Sequence, residues 1–194
     1  MKHQFNITLL SICLLASLAF VSCNKTYTVP TSATATQQAA VLYPDYTDIT
    51  IPANIAPLNF IVKNGGQEFV AQVKADGKDV LVAGGDDDGI VQFDSTEWKS
   101  VLAQNRGKSL QVTIYANQDG NWVSYKPYSI NVAPEDIDPY LSYRLIEPGF
   151  ELYRQLGLYQ RNLTTFEQNV IYENNRDDIS NENHCVNCHN YQNY

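Results

Sequence analysis

The chain has few basic residues, and this narrows the classes of function that it can have. Of 194 residues, 13 are Lys or Arg and 21 are Asp or Glu, which gives a net charge of -8. Nucleic-acid binding and electrostatic adhesion to an anionic membrane both need clustered Lys and Arg, so the composition argues against both. Four cysteines are too few for a disulfide-stabilised scaffold.

Histidine and methionine are also scarce. There are three histidines and one methionine, Met1. His3 lies close to the N-terminus, and the other two flank a pair of cysteines, so no spare histidine remains for a Ser-His-Asp site. A glycosidase with paired carboxylates stays open on composition, although no spacing points to one. The sequence therefore favours a non-enzymatic protein without settling the question.

Residues 1–22 have the pattern of an export signal. Lys2 gives a weakly basic start, and an apolar stretch runs from Leu9 to Val21. That stretch has about the length of a secretory core and is short for a transmembrane helix. The segment Leu-Ala-Phe-Val-Ser-Cys that ends at Cys23 resembles a bacterial lipobox, with Phe20 where Leu is usual. The resemblance implies cleavage before Cys23 and attachment of lipid to it, while ordinary cleavage nearby would leave a plain thiol.

Residues 23–45 are rich in Thr, Ser, Ala and Gln and lack an apolar period. They are interpreted as the lipidated cysteine followed by a flexible tether. The chain is therefore expected to be exported and anchored by lipid to the outer membrane, on its periplasmic face or at the cell surface.

Residues 46–134 predict an all-β domain. Short apolar runs with a period of two are separated by turn signals, which is typical of an immunoglobulin- or fibronectin-like β-sandwich. Ser95 or Thr96 is expected to cap a short helix that buries Trp98, Val101 and Leu102. Such a module often serves only as a spacer. The expected strands are Leu58–Val62, Phe69–Val73, Val80–Ala83, Ile90–Phe93, Leu110–Tyr115, Trp122–Tyr125 and Tyr128–Val132.

Residues 135–194 do not continue the regular strand pattern of residues 46–134. Leu158–Phe166 and Asn169–Glu173 predict a short β-hairpin within an otherwise irregular segment. The pair resembles the start of a blade in a TolB-like β-propeller. A propeller needs about 4–8 blades, and only one such pair is present.

The most specific motif is His184-Cys185-Val186-Asn187-Cys188-His189. It contains C-x-x-C-H, the attachment motif of c-type haem. Cys185 and Cys188 would bond the two vinyl groups of one porphyrin, and His189 would be the axial ligand of the haem iron. A local disulfide between the cysteines, a zinc site that includes His184, and a thioredoxin-like redox pair remain as alternatives.

The sixth iron ligand is not evident. Met1 and His3 would leave with the signal peptide, and His184 adjoins Cys185 too closely to reach the opposite haem face. Only five residues follow His189, so no later helix of this sequence can wrap around a porphyrin. The haem is expected to be five-coordinate, or ligated by another part of the chain or by a partner.

Two further stretches extend the resemblance to a family. Residues 43–60 and 138–153 are similar to a Bacteroidetes family of exported lipoproteins with an immunoglobulin-like N-terminal domain and a TolB-like propeller. In that family several propeller repeats follow the C-V-N-C-H stretch, so the resemblance implies that this sequence stops before the propeller body. Of the site residues, Cys185, Cys188 and His189 carry over from the family pattern.

Two functions follow as expectations. The first is a membrane-anchored lipoprotein that carries c-type haem for electron transfer. The second is a surface-displayed, non-catalytic binding or scaffold lipoprotein whose two cysteines form a disulfide. A redox or surface protein is the expected partner of either.

Overall fold

The structure is a computed structural model that describes residues 26–146 and 156–174. These residues form an all-β, sandwich-like fold, as predicted from the sequence. The described elements are β1 (Thr34–Ala39), β2 (Leu42–Tyr43), β3 (Ile49–Ile51), β4 (Phe60–Val62), β5 (Glu68–Ala75), β6 (Lys78–Gly85), β7 (Ile90–Val91), α1 (Ser95–Gln104), β8 (Ser109–Gln118), β9 (Asn121–Lys126), β10 (Tyr128–Val132), β11 (Tyr140–Leu145), β12 (Gly157–Asn162) and β13 (Gln168–Glu173).

The larger sheet has seven strands, with β8 at its centre. On one side β8 pairs with β5, which pairs with β6. On the other side β8 pairs with both β9 and β10. Strand β9 then pairs in parallel with β1, and β10 pairs in parallel with β3. Val112 and Tyr115 are three positions apart, whereas their respective partners Tyr128 and Ser124 are four positions apart. The return strand therefore carries one extra residue beside Pro127, which has no N–H for the ladder.

The smaller sheet consists of β2, β4 and β7, and the core lies between the two sheets. Alternate residues of a strand point to one face, so a period of two places one apolar set inward. Strand β8 shows this most clearly, because Leu110, Val112, Ile114 and Ala116 are at most 1% exposed. Their burial supplies the hydrophobic stabilisation that holds the sheets together.

Helix α1 follows β7 and closes one side of the core. Trp98, Val101 and Leu102 are buried, as predicted from their spacing. The cap differs from the prediction, because the carboxylate of Asp94, rather than Ser95 or Thr96, accepts the N–H groups of Thr96 and Glu97 at 2.9 Å. Asp is an equally good capping residue, and here it precedes the two candidates by one or two positions.

The expected flexible tether of residues 23–45 is wrong for its second half. Strand β1 pairs in parallel with β9, and Leu42 of β2 pairs with Val62. The ring of Tyr27 also packs against Gly84, so closely that any side chain at that glycine would collide with it. The side chains of β1 are mostly exposed, so no apolar period marked the strand in the sequence. Its stability comes from backbone pairing to an existing sheet edge.

The C-terminal part is a three-stranded antiparallel sheet rather than a hairpin. Strands β12 and β13 form the predicted pair, and β11 adds a third strand in register from Tyr140 opposite Asn162 to Leu145 opposite Gly157. Apolar and polar residues alternate from Leu141 to Leu145, so a strand pattern was present in the sequence, although the burial of β11 does not alternate. We call β11–β12–β13 the meander.

Candidate functional site

The residues predicted to carry the chemistry lie outside the described structure. Cys23 precedes residue 26, whereas Cys185, Cys188 and His189 follow residue 174. The structure therefore brings none of them together, and they stay predictions. What it does show is the fold that borders the motif in sequence and one surface groove that the sequence did not predict.

The meander that precedes the motif is fixed to the sandwich by hydrogen bonds from the loop between β3 and β4. The side-chain amide of Asn54 donates to the carbonyl of Ile137 at 2.9 Å and accepts the N–H of Ile137 at 3.0 Å. The N–H of Ala56 donates to the carbonyl of Leu163 at 2.8 Å. From the other side, the indole N–H of Trp98 donates to the carbonyl of Ile55 at 3.1 Å. The loop thus links helix, sandwich and meander.

One face of the meander is aromatic at its centre and exposed around it. Tyr143 stacks on Tyr159 with ring centroids 5.9 Å apart, and the Tyr159 hydroxyl donates to Glu173 at 2.7 Å. Gly157 permits this arrangement, because a Cβ there would meet the Tyr159 ring at 2.7 Å. Cross-strand register puts Leu141 and Val170 on the same face, 50% and 54% exposed. Exposed apolar groups on one sheet face mark a surface available to a partner or a neighbouring domain.

A groove of about 690 Å³ lies between strand β6 and helix α1. Four consecutive residues, Asp79 to Val82, line its strand side. Because consecutive strand residues point to opposite faces of a sheet, a cavity that touches all four opens onto the edge of the strand. The helix side is a polar stripe of Glu97, Ser100 and Gln104, spaced by three and four residues along one face.

The carboxylate of Asp79 is held in this groove by a hydrogen-bonded row across the sheet. The Tyr115 hydroxyl donates to Gln72 at 3.0 Å, and the Gln72 amide donates to Oδ1 of Asp79 at 2.8 Å. Gln72 is only 4% exposed, so its bonds fix its orientation. Burial, and secondarily the charge of Asp79, raise the pKa of Tyr115. Lys74 approaches the same Oδ1 at 3.9 Å.

Sequence reasoning predicted both elements of the groove but not the groove. The polar spacing of Glu97, Ser100 and Gln104 opposite the buried face of α1 was readable from the sequence. That β6 ends the sheet was not, because strand order depends on long-range pairing.

The fold and these surfaces define an all-β, sandwich-like protein with a docked three-stranded sheet. No known protein-family model and no curated protein matches the chain. In residues 26–146 and 156–174, no helix is long and apolar enough to cross a membrane. Within those same ranges, no group of three or more His, Cys, Asp or Glu side chains is placed to hold a metal ion.

Proposed function

We propose that this chain is an exported, lipid-anchored protein that carries a covalently attached c-type haem for electron transfer. The observation that carries the proposal is the C-x-x-C-H sequence at Cys185, Cys188 and His189, in a chain whose residues 1–22 also have the pattern of an export signal. Export supports the proposal because c-type haem is attached after translocation. The similarity to the exported Bacteroidetes lipoprotein family agrees with it.

The donor set fits a haem better than it fits a closed zinc site. Two thiols in C-x-x-C spacing match two vinyl groups of one porphyrin, and the adjoining imidazole of His189 is an iron ligand. Structural zinc sites usually combine two well-separated pairs of ligands. Here Cys185 has His184 beside it and Cys188 has His189 beside it, so adjacent side chains would have to converge. The haem, when bound, would supply one-electron chemistry.

The described fold borders the motif in sequence. Hydrogen bonds from Asn54 and Ala56 fix the meander to the sandwich, and the motif follows the meander in sequence.

A second candidate is a surface-displayed binding or scaffold lipoprotein in which Cys185 and Cys188 form a disulfide. The exposed apolar residues of the meander favour it, because Leu141 and Val170 present a surface that a protein partner would cover. The same exposure is expected of the first blade of a TolB-like propeller, whose faces pack against neighbouring blades.

The test is to produce the full chain in a bacterial host that matures c-type cytochromes. A pyridine haemochrome spectrum and a mass increase of one haem are expected, and both should be lost in the Cys185→Ser, Cys188→Ser double variant. His184→Ala is the matched control and should keep its haem. Absence of a haem band, with a mass two hydrogens below that of the dithiol, would overturn the haem proposal in favour of the disulfide-bonded scaffold.

A further inference from the structure

Strand β6 is an edge with open backbone groups. In the described part of the chain it pairs only with β5, along Phe69–Ala75. In an antiparallel pair, alternate residues direct their N–H and C=O groups away from the partner strand. From Val80 to Gly85 the strand carries neither charge nor proline, the two features that most often block pairing at an edge.

The groove gives this edge the dimensions of a peptide site. Its strand side covers Asp79 to Val82, about 13 Å at 3.3 Å per residue. The ten residues of α1 run for about 15 Å. The strand side of the groove is therefore about as long as an extended segment of four residues, and the helix forms the opposite wall. Addition of a strand to an exposed edge is a recurring mode of peptide recognition.

The lining indicates the charge of the segment. The groove is lined by two carboxylates, Asp79 and Glu97, and by no Lys or Arg. Asp79 accepts from Gln72 through Oδ1 and lies 3.9 Å from Lys74, and its side chain is still 52% exposed to a ligand. An acidic wall attracts a cationic partner and disfavours an anionic one.

We infer that the β6–α1 groove binds an extended, basic peptide segment of a partner protein, added as a strand on β6. The backbone of β6 provides pairing that is independent of sequence. Asp79 and Glu97 select Lys or Arg side chains. The inference is independent of the haem and lipid proposals, since none of their residues lines the groove.

The test uses the full chain in detergent and three synthetic heptapeptides. The first, Thr-Val-Lys-Val-Arg-Val-Thr, places both cations on one strand face. The second replaces Lys and Arg with Glu. The third is the basic peptide N-methylated at every residue from the second to the sixth, so that neither edge of the extended peptide can pair as a strand. Fluorescence polarisation measures affinity, and amide hydrogen exchange measures protection of β6.

The basic peptide should bind and slow exchange between Asp79 and Ala83, whereas the other two should bind at least tenfold more weakly. Glu97→Lys should weaken the basic peptide about tenfold, which corresponds to about 1.4 kcal/mol. Glu167→Lys, a charge reversal in the loop between β12 and β13, is the control and should bind normally. No binding at 1 mM, equal binding of the acidic or N-methylated peptide, or protection of β6 by self-association without peptide would each overturn the inference.

Discussion

Tyr128, at the start of β10, has a hydroxyl that is buried without a hydrogen-bond partner among the described residues. A polar group buried in this way costs stability, because it gives up its hydrogen bonds to water. We therefore expect Tyr128→Phe to raise the free energy of unfolding by about 1 kcal/mol in urea titrations. Tyr115→Phe is the contrasting variant: it loses a bond to Gln72 and should lower stability. A destabilised Tyr128→Phe variant would show that the hydroxyl has a partner.

The same residue predicts behaviour at alkaline pH. Burial, and secondarily the charge of Asp45, raise the pKa of Tyr128. The unfolded chain ionises its tyrosines near pH 10 while folded Tyr128 stays neutral. Ionisation of Tyr128 in the unfolded chain therefore lowers the free energy of unfolding only above about pH 10. The loss grows with pH by up to about 1.4 kcal/mol per pH unit. Unfolding followed by circular dichroism should show a higher alkaline midpoint in Tyr128→Phe than in the unmodified chain. An unchanged midpoint would mean that Tyr128 ionises freely in the folded protein.

At the scale of elements, the docking of the meander depends on a few polar contacts. Asn54→Ala removes both bonds to Ile137, and its cost should be about 1–3 kcal/mol, because polar groups of Ile137 lose partners at a part-buried site. Hydrogen exchange at Ile137 and along β12 should accelerate more than exchange in β8. Asn121→Ala, at the exposed turn between β8 and β9, is the matched control. Equal acceleration throughout the sandwich would show that the meander and the sandwich unfold together.

What could be predicted at this scale depends on whether side chains or backbone hold an element. Strands β5 and β8 and helix α1 bury apolar side chains at regular spacing, so their pattern was visible in the sequence. Strand β1 pairs through its backbone while its side chains face water, so only its position in the sheet reveals it. The groove could not be predicted without knowing the strand order, and the local spacing of residues does not encode strand order.

At the scale of the whole molecule, the position of Tyr27 changes the expected distance from the membrane. A tether of about twenty residues would let the sandwich range widely from a lipid on Cys23. The Tyr27 ring instead lies over Gly84, with its hydroxyl 3.4 Å from Asp86. Four residue steps separate Cys23 from Tyr27 and span at most about 14 Å. If Cys23 carries lipid, the outer face of the seven-stranded sheet lies close to the bilayer surface.

This arrangement depends on the lipid proposal, which one substitution tests. Cys23→Ser removes the thiol to which lipid would be attached, so labelling with radioactive palmitate and partition into the detergent phase of Triton X-114 should both be lost. Cys13→Ser alters a cysteine inside the apolar part of the signal and should keep both, which makes it the matched control. Stable anchoring needs more than one acyl chain or a second membrane contact, and the net charge of -8 does not favour an electrostatic contact with an anionic bilayer. An unlabelled unmodified chain, or label retained by Cys23→Ser, would remove the lipid anchor and with it the expected closeness of the sandwich to the membrane.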